Sequence, residues 1–314
     1  MSNHWTIKEG FLIGGVLVLA GLILQLCVGP VKWEVFAWPV NGIMMAVLVG
    51  IIIMMFLLRK NVYAFRFIGK YQAAIPVLVY AVVLTIIMGL IRQETDGTWL
   101  NSMLTFWPFV LIYVYMAVIL GLVILRRIVN FQFSIVNLKR DFPFLLNHLG
   151  LFLAMTTATL GNADMQRLKM ITGKGEPEWR ALTPQQQIVE MPITIELKEF
   201  VMETYDDGSH RRFASDIIIT PRNPLTTQRS SLTSDIVATV EVNKPVEVDG
   251  WKIYQYGYDT QMGAMSQISI LELVSDPWLP LVYTGIYMML AGAVCMFLFG
   301  GRKKVENRPI NSKS

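Results

Sequence analysis

Six stretches of the chain each hold roughly 18 or more predominantly apolar residues, the length an α-helix needs to cross a bilayer. They run from Phe11 to Val28, Asn41 to Leu58, Ala73 to Ile91, Thr105 to Leu125, Pro143 to Leu160 and Trp278 to Gly300. The third contains Pro76; the fifth is the weakest and holds Asn147, His148 and three threonines. Trp33, Trp38, Trp99, Trp107 and Trp278 fall near the ends of these blocks, where interfacial aromatics are expected. The first block is too long for the apolar core of a signal peptide, and no small-residue cleavage site follows Val28, so it reads as a span. Only 16% of the residues are charged, against about 25% in a soluble domain.

The loops orient the spans. Arg59, Lys60, Arg66 and Lys70 lie between blocks two and three without an acid. Arg126, Arg127, Lys139 and Arg140 lie between four and five, against Asp141 alone, and Arg302, Lys303, Lys304, Arg308 and Lys313 follow block six, against Glu306. The alternate loops are poor in base: Lys32 with Glu34, then Arg92 with Glu94 and Asp96. Six spans put every basic segment on one side, which the positive-inside rule makes cytoplasmic. Only an even number of spans sorts the loops this way, which supports counting the fifth. The expected fold is therefore membrane α-helical with an exported antiparallel β-rich domain between spans 5 and 6. Residues 1–161 form a five-span region, 162–276 the exported domain, 277–301 the sixth span and 302–314 a cytoplasmic tail, with both termini cytoplasmic.

The formal charge of +4 belongs to the membrane flanks. In residues 162–276, 11 lysines and arginines stand against 17 aspartates and glutamates, a formal charge of about −6. That argues against nucleic-acid binding, whose footprint is a basic patch. Cys27 and Cys295 both lie in spans, and no C-x-x-C occurs, so the exported domain depends on its core rather than on disulfides. Residues 162–192 are polar, punctuated by Gly173, Gly175, Pro177 and Pro184, and read as a connection with one short helix. Beyond them the pattern is that of strands. Ile193, Ile195 and Leu197 alternate with polar residues, Ile217 to Ile219 ends at Pro221, and Ile236, Ala238, Val240 and Val242 share a parity. Asp249-Gly250 joins Val246–Val248 to Trp251–Tyr256 as a two-residue hairpin, and Ile268 to Val274 forms a last strand. Such spacing suggests an antiparallel sandwich or open barrel.

Signatures of zinc peptidases, serine hydrolases, phosphate loops and dinucleotide folds are missing. No catalytic residue and no metal site emerges; Asp206-Asp207 reads as a solvated turn, His4 as a tail residue and His210 as a surface residue. His148 differs, because an ionisable side chain within a span is costly and functional by default. Counted from Pro143 it sits about 8 Å along its helix, with Gly150, Ala154 and Thr157 offering small side chains nearby. No other span carries Asp, Glu, Lys or Arg well inside it, so a proton relay lacks a second station, and no second intramembrane histidine is present. A haem held by His148 would take its opposing ligand from a partner subunit. The other reading is a neutral imidazole hydrogen-bonded to a neighbouring helix, and position alone leaves both open.

At these residues the chain resembles the ResB/CcsB family. Phe144 to Ala154, F-L-L-N-H-L-G-L-F-L-A, is similar to the family's histidine-bearing span before the exported domain. Val240 to Asp259, V-E-V-N-K-P-V-E-V-D-G-W-K-I-Y-Q-Y-G-Y-D, resembles its late strand pair, and Ser275 to Gly292, S-D-P-W-L-P-L-V-Y-T-G-I-Y-M-M-L-A-G, its lead-in to the final span. The resemblance covers chiefly residues 143–300. It implies a System II cytochrome c biogenesis subunit of the bacterial inner membrane with a periplasmic domain. With a CcsA-type partner, such a subunit takes part in haem export and covalent haem attachment to apocytochrome c, the lyase activity belonging to the complex. It implies further that His148 is a transmembrane haem ligand and the haem transient cargo. The chain carries no tryptophan-rich haem motif of the partner type, and five spans precede its domain where many relatives have three. Trp251, Tyr254, Tyr256 and Tyr258 are candidates for a partner surface, against the alternative of sheet packing. A rival function is a membrane-anchored sensor or assembly protein that binds a protein partner and no haem.

Overall fold

The computed structural model describes residues 5–94, 97, 99–130, 135–207, 209–222 and 234–299. His4, Asp96 and the tail from Arg302 to Lys313 lie outside the described residues. The chain divides into two units, Met1–Ala163 with Trp278–Ser314, and Asp164–Pro277.

The first unit is helical: α1 (Ile7–Val28), α2 (Val40–Leu58), α3 (Tyr63–Ile68), α4 (Tyr71–Leu90), α5 (Trp107–Val129), α6 (Ile135–Gly161) and α7 (Leu279–Phe299). All but the short α3 are long and apolar enough to cross a membrane, so this is a multi-pass membrane protein. A capping box starts α1: Thr6 Oγ1 accepts from the Lys8 amide, and the Glu9 carboxylate accepts from the Thr6 amide. Close approach in the unit rests on glycine. A Cβ on Gly14 would lie 2.3 Å from the Tyr80 ring, whose hydroxyl donates to the Phe11 carbonyl at 3.0 Å, locking α1 to α4. The buried Gln25 of α1 accepts from the Trp107 amide at 3.1 Å, satisfying an orphan donor at the start of α5.

Helices α6 and α7 pack with their backbones nearly touching. A Cβ on Gly150 would sit 2.5 Å from the Gly285 carbonyl oxygen, and one on Gly285 would sit 2.6 Å from the Ala154 amide nitrogen. Gly292 faces Asn147, and Gly161 faces Trp278. Small residues on both partners permit this approach, as expected where apolar solvent supplies no squeezing force. The sequence pattern starts the fifth span at Pro143, but α6 starts at Ile135 and runs through it. The charges that end the apolar block do not end the helix, because Asp141 is buried and held by both Arg127 and Arg140.

The second unit holds eight strands: β1 (Gln166–Gly173), β2 (Pro177–Leu182), β3 (Ile188–Thr204), β4 (His210–Pro221), β5 (Ile236–Glu241), β6 (Val246–Val248), β7 (Trp251–Tyr258) and β8 (Ile268–Ser275). They form one antiparallel sheet in the order β5-β4-β3-β2-β1-β8-β7-β6. The sheet curls until β5 touches β6 and β7 at its other end. Its inner face is apolar, with Met170, Ile193, Ile195, Leu197, Ile217, Ile219, Ile253 and Leu271 fully buried. Into this core three strands send one satisfied polar network: Ser215 Oγ donates to Gln255 Oε1 at 2.6 Å and lies 2.7 Å from Ser269 Oγ. The Asp249-Gly250 hairpin is present, with φ of 54° and 80°, as a two-residue primed turn requires. Residues 162–192 correct the expectation of a connection with a short helix: they hold β1, β2 and the start of β3. Leu168, Met170 and Thr172 are buried while Arg167, Lys169 and Ile171 point out, and β1 pairs with β8 along its whole length. Gly173, Gly175 and Pro177 mark the tight β1–β2 turn and the first residue of β2, and Pro184 marks the turn between β2 and β3.

Candidate functional site

In the apolar stretch of α6, from Pro143 onward, threonine and asparagine side chains turn onto the helix's own backbone. The hydroxyls of Thr156, Thr157 and Thr159 donate to carbonyls one turn back at 2.7–2.9 Å, and Asn147 Nδ2 donates to Pro143 at 2.9 Å. Two further bonds reach in from other helices, Asn41 Nδ2 to the Leu160 carbonyl at 3.1 Å and the Tyr113 hydroxyl to the Met155 carbonyl at 3.2 Å. Such pairing removes the cost of polar groups in a span.

His148 is the exception. Its Nδ1 lies 2.8 Å from the Phe144 carbonyl oxygen. A carbonyl only accepts, so Nδ1 carries a proton and, in the neutral ring, Nε2 keeps its lone pair. Among the described residues Nε2 has no hydrogen-bond partner. Among the described residues the imidazole is thus bonded to its own helix and to no neighbouring one; it is half-buried, with a lone-pair nitrogen to spare. The ring stacks on Phe144, centroids 3.8 Å apart and planes 23° apart, and the Arg127 guanidinium lies 4.9 Å from the centre of the Phe144 ring. Arg127 is held in turn by Asp141, which also accepts from Arg140 Nε at 2.7 Å. Arg127, Phe144 and His148 therefore form a column, with His148 about 10 Å along the axis from Asp141 at 1.5 Å per residue.

Two clefts open at the basic ends of the helices, the first of them beside this column. One of about 400 Å³ is lined by Arg126, Arg127, Arg140, Asp141 and Phe144 among others. The second, of about 320 Å³, is lined by Arg59, Lys60, Arg66, Lys70 and Arg126 over Phe56, Phe65 and Leu122. The role of Asp141 in holding Arg127 is what sequence reading missed. The available signal was a lone acid among bases, with Phe144 four residues before His148.

The sheet does not bring Trp251, Tyr254, Tyr256 and Tyr258 onto one surface. Trp251 is 6% exposed and belongs to the core with Ile253, on the same parity. Tyr256 is exposed, with the Lys169 ammonium 3.8 Å from its ring centre. Tyr258 stacks between Phe200 and Phe213 at 4.9 and 5.3 Å, and Phe213 lies 5.0 Å from the exposed His210 ring. In the Asp206-Asp207 turn, Asp207 accepts from the Ser209 hydroxyl and amide, bonds that hold its carboxyl below the usual range. No group of three or more His, Cys, Asp or Glu placed to hold a metal occurs among the described residues.

These features define a multi-pass membrane protein with a curled β unit and a spanning helix that presents one imidazole nitrogen. Residues 139–269 match the model of the ResB-like family. This segment holds α6 from Lys139 onward and most of the sheet, and includes two of the three stretches that carry the sequence resemblance. No curated protein matches the chain. Among solved structures, the chain is similar to one described as "Cytochrome c Heme Lyase CcmF", at a TM-score of 0.34 and 14% identity over 93% of this chain and 46% of that one. The chain thus spans about half the length of that structure.

Proposed function

We propose that this chain is a cytochrome c biogenesis subunit of the ResB/CcsB kind, with His148 an axial ligand to haem in transit. The observation that carries the proposal is the free Nε2 of His148, held by the Nδ1 bond to Phe144 in the tautomer a metal ligand needs. The bond also fixes the ring's direction, and the Phe144 stack limits its rotation. Haem iron accepts such a nitrogen axially. The residues fit that cargo on one side only, since no second histidine lies in a described span. The opposing ligand then comes from a CcsA-type membrane partner, and attachment to the cysteines of apocytochrome c belongs to the complex. The positive-inside rule places the basic loops and both termini in the cytoplasm and the β unit in the periplasm, where it docks the partner or the apocytochrome.

The test is a bacterial strain in which covalent haem on a C-x-x-C-H reporter depends on this chain. His148→Gly is expected to abolish most haem staining of the reporter at unchanged protein level, and imidazole in the medium is expected to restore part of it. Undiminished staining with His148→Gly would overturn the ligand assignment and favour a haem-free sensor or assembly protein.

A further inference from the structure

The charged groups at the basic end of the helical unit are unevenly compensated. Arg127 and Arg140 share Asp141. Arg59, Lys60, Arg66, Lys70 and Arg126 line one cleft of about 320 Å³ and have no carboxylate partner among the described residues. They come from three separate places, the end of α2, α3 with the residue before α4, and the end of α5, so the fold gathers them. Five like charges around one hollow repel each other and focus a positive potential into it. The wall is partly built rather than loose. Arg59 Nη1 donates to the Phe56 carbonyl at 2.5 Å, and its guanidinium sits 3.6 Å from the centre of the Phe56 ring. Arg66 lies over Tyr63, 5.0 Å from the ring centre.

The floor decides which anion fits. Phe56, Phe65 and Leu122 are apolar, and Leu57, Leu58 and Tyr71, at the adjoining helix ends, are exposed. A free hydrated anion gains nothing from such a surface, whereas an amphiphile gains from both parts. The cleft also lies at the ends of spanning helices, the level at which a bilayer holds its headgroups.

We infer that the cleft lined by Arg59, Lys60, Arg66, Lys70 and Arg126 binds the phosphate of an anionic phospholipid. The headgroup neutralises the cluster, and the apolar residues beside it take the start of the acyl chains. This site does not depend on the haem reading, since it involves neither His148 nor Phe144.

The experiment is native mass spectrometry of the full chain in detergent, titrated separately with phosphatidylglycerol, phosphatidylcholine and inorganic phosphate. Phosphatidylglycerol is expected to be retained in preference to phosphatidylcholine, with inorganic phosphate at millimolar concentration failing to displace it. Lys60→Gln with Lys70→Gln is expected to weaken phosphatidylglycerol binding about 25-fold, at about fivefold per cation. Lys60→Arg with Lys70→Arg is expected to keep it, which separates lost charge from a misfolded variant. Equal retention of the two lipids, equal binding by the Gln pair, or displacement by inorganic phosphate alone would each overturn the inference, the last assigning the site to a free anion.

Discussion

The isoleucines of β3 and β4 and the leucines of α1 are equally apolar, yet they end in opposite places. Ile193, Ile195, Ile217 and Ile219 are fully buried, while Leu12, Leu19 and Leu26 are 62–71% exposed. Polar groups divide the same way. The β unit faces outward with ion pairs such as Arg180–Glu178, Arg212–Glu241 and Arg222–Glu190. In α6, threonines turn back onto their own carbonyls. The difference follows from the solvent each unit is built for: water rewards an apolar inside and a charged outside, and hydrocarbon removes both incentives. Within the second solvent an unpartnered polar atom is costly, and the proposed function gives the free nitrogen of His148 a use.

The largest effect is expected in the sheet core. Ile195→Ala is expected to cost about 2–5 kcal/mol in denaturant unfolding of the β unit followed by Trp251 fluorescence. A cost below half a kilocalorie would mean the core is not the tight one described. On the outward faces the two units should respond differently to the same charge. Leu19→Lys is expected to cost about 2.5–3.5 kcal/mol in an insertion assay scored by glycosylation of a tagged span. Val237→Lys, at a position that is 77% exposed on β5, is expected to stay within about 0.5 kcal/mol in the same unfolding assay as Ile195→Ala. Equal costs would remove the distinction between the solvents.

Gly285→Leu tests whether backbone contact holds α6 to α7. The added side chain meets the Gly150 carbonyl and the Ala154 backbone, and overpacking of this kind costs about 1–3 kcal/mol. Lower thermal stability of the purified chain is expected, and unchanged stability would show that the helices can separate freely. The smallest effect concerns acid. Hydrogen bonds from Arg180, then from the Arg180 and Trp179 amides, hold the Glu178 carboxyl at about 2 against an ordinary 4.5. Its folded value is depressed, so its contribution is complete above pH 4.5 and is lost as pH falls toward 2. Glu178→Gln is expected to flatten the unfolding midpoint across that window, and an equally steep profile would place the acid sensitivity elsewhere.

The spans were legible because a span is chiefly a requirement on length. The start of α6 was not, because the residue that makes Asp141 tolerable, Arg127, lies 14 positions away. The later strands were legible from parity, and the Asp249-Gly250 turn from its chemistry. Strands β1 and β2 were hidden, since their glycines and prolines look like loop punctuation until β8 is seen lying along β1. Parity also held the correct answer for Trp251, which shares its face with Ile253 and Gln255. For the candidate site, the histidine stands out in the sequence, whereas its tautomer does not, although it rests on a carbonyl only four positions back.

The proposed function rests on His148 Nε2 as a haem ligand. The full chain, co-purified with the CcsA-type partner proposed for it, is expected to show the absorption spectrum of a six-coordinate haem. His148→Gly should lose or shift that spectrum, and added imidazole should bring it back. A haem spectrum that is absent from the complex, or identical in the His148→Gly variant, would contradict the account.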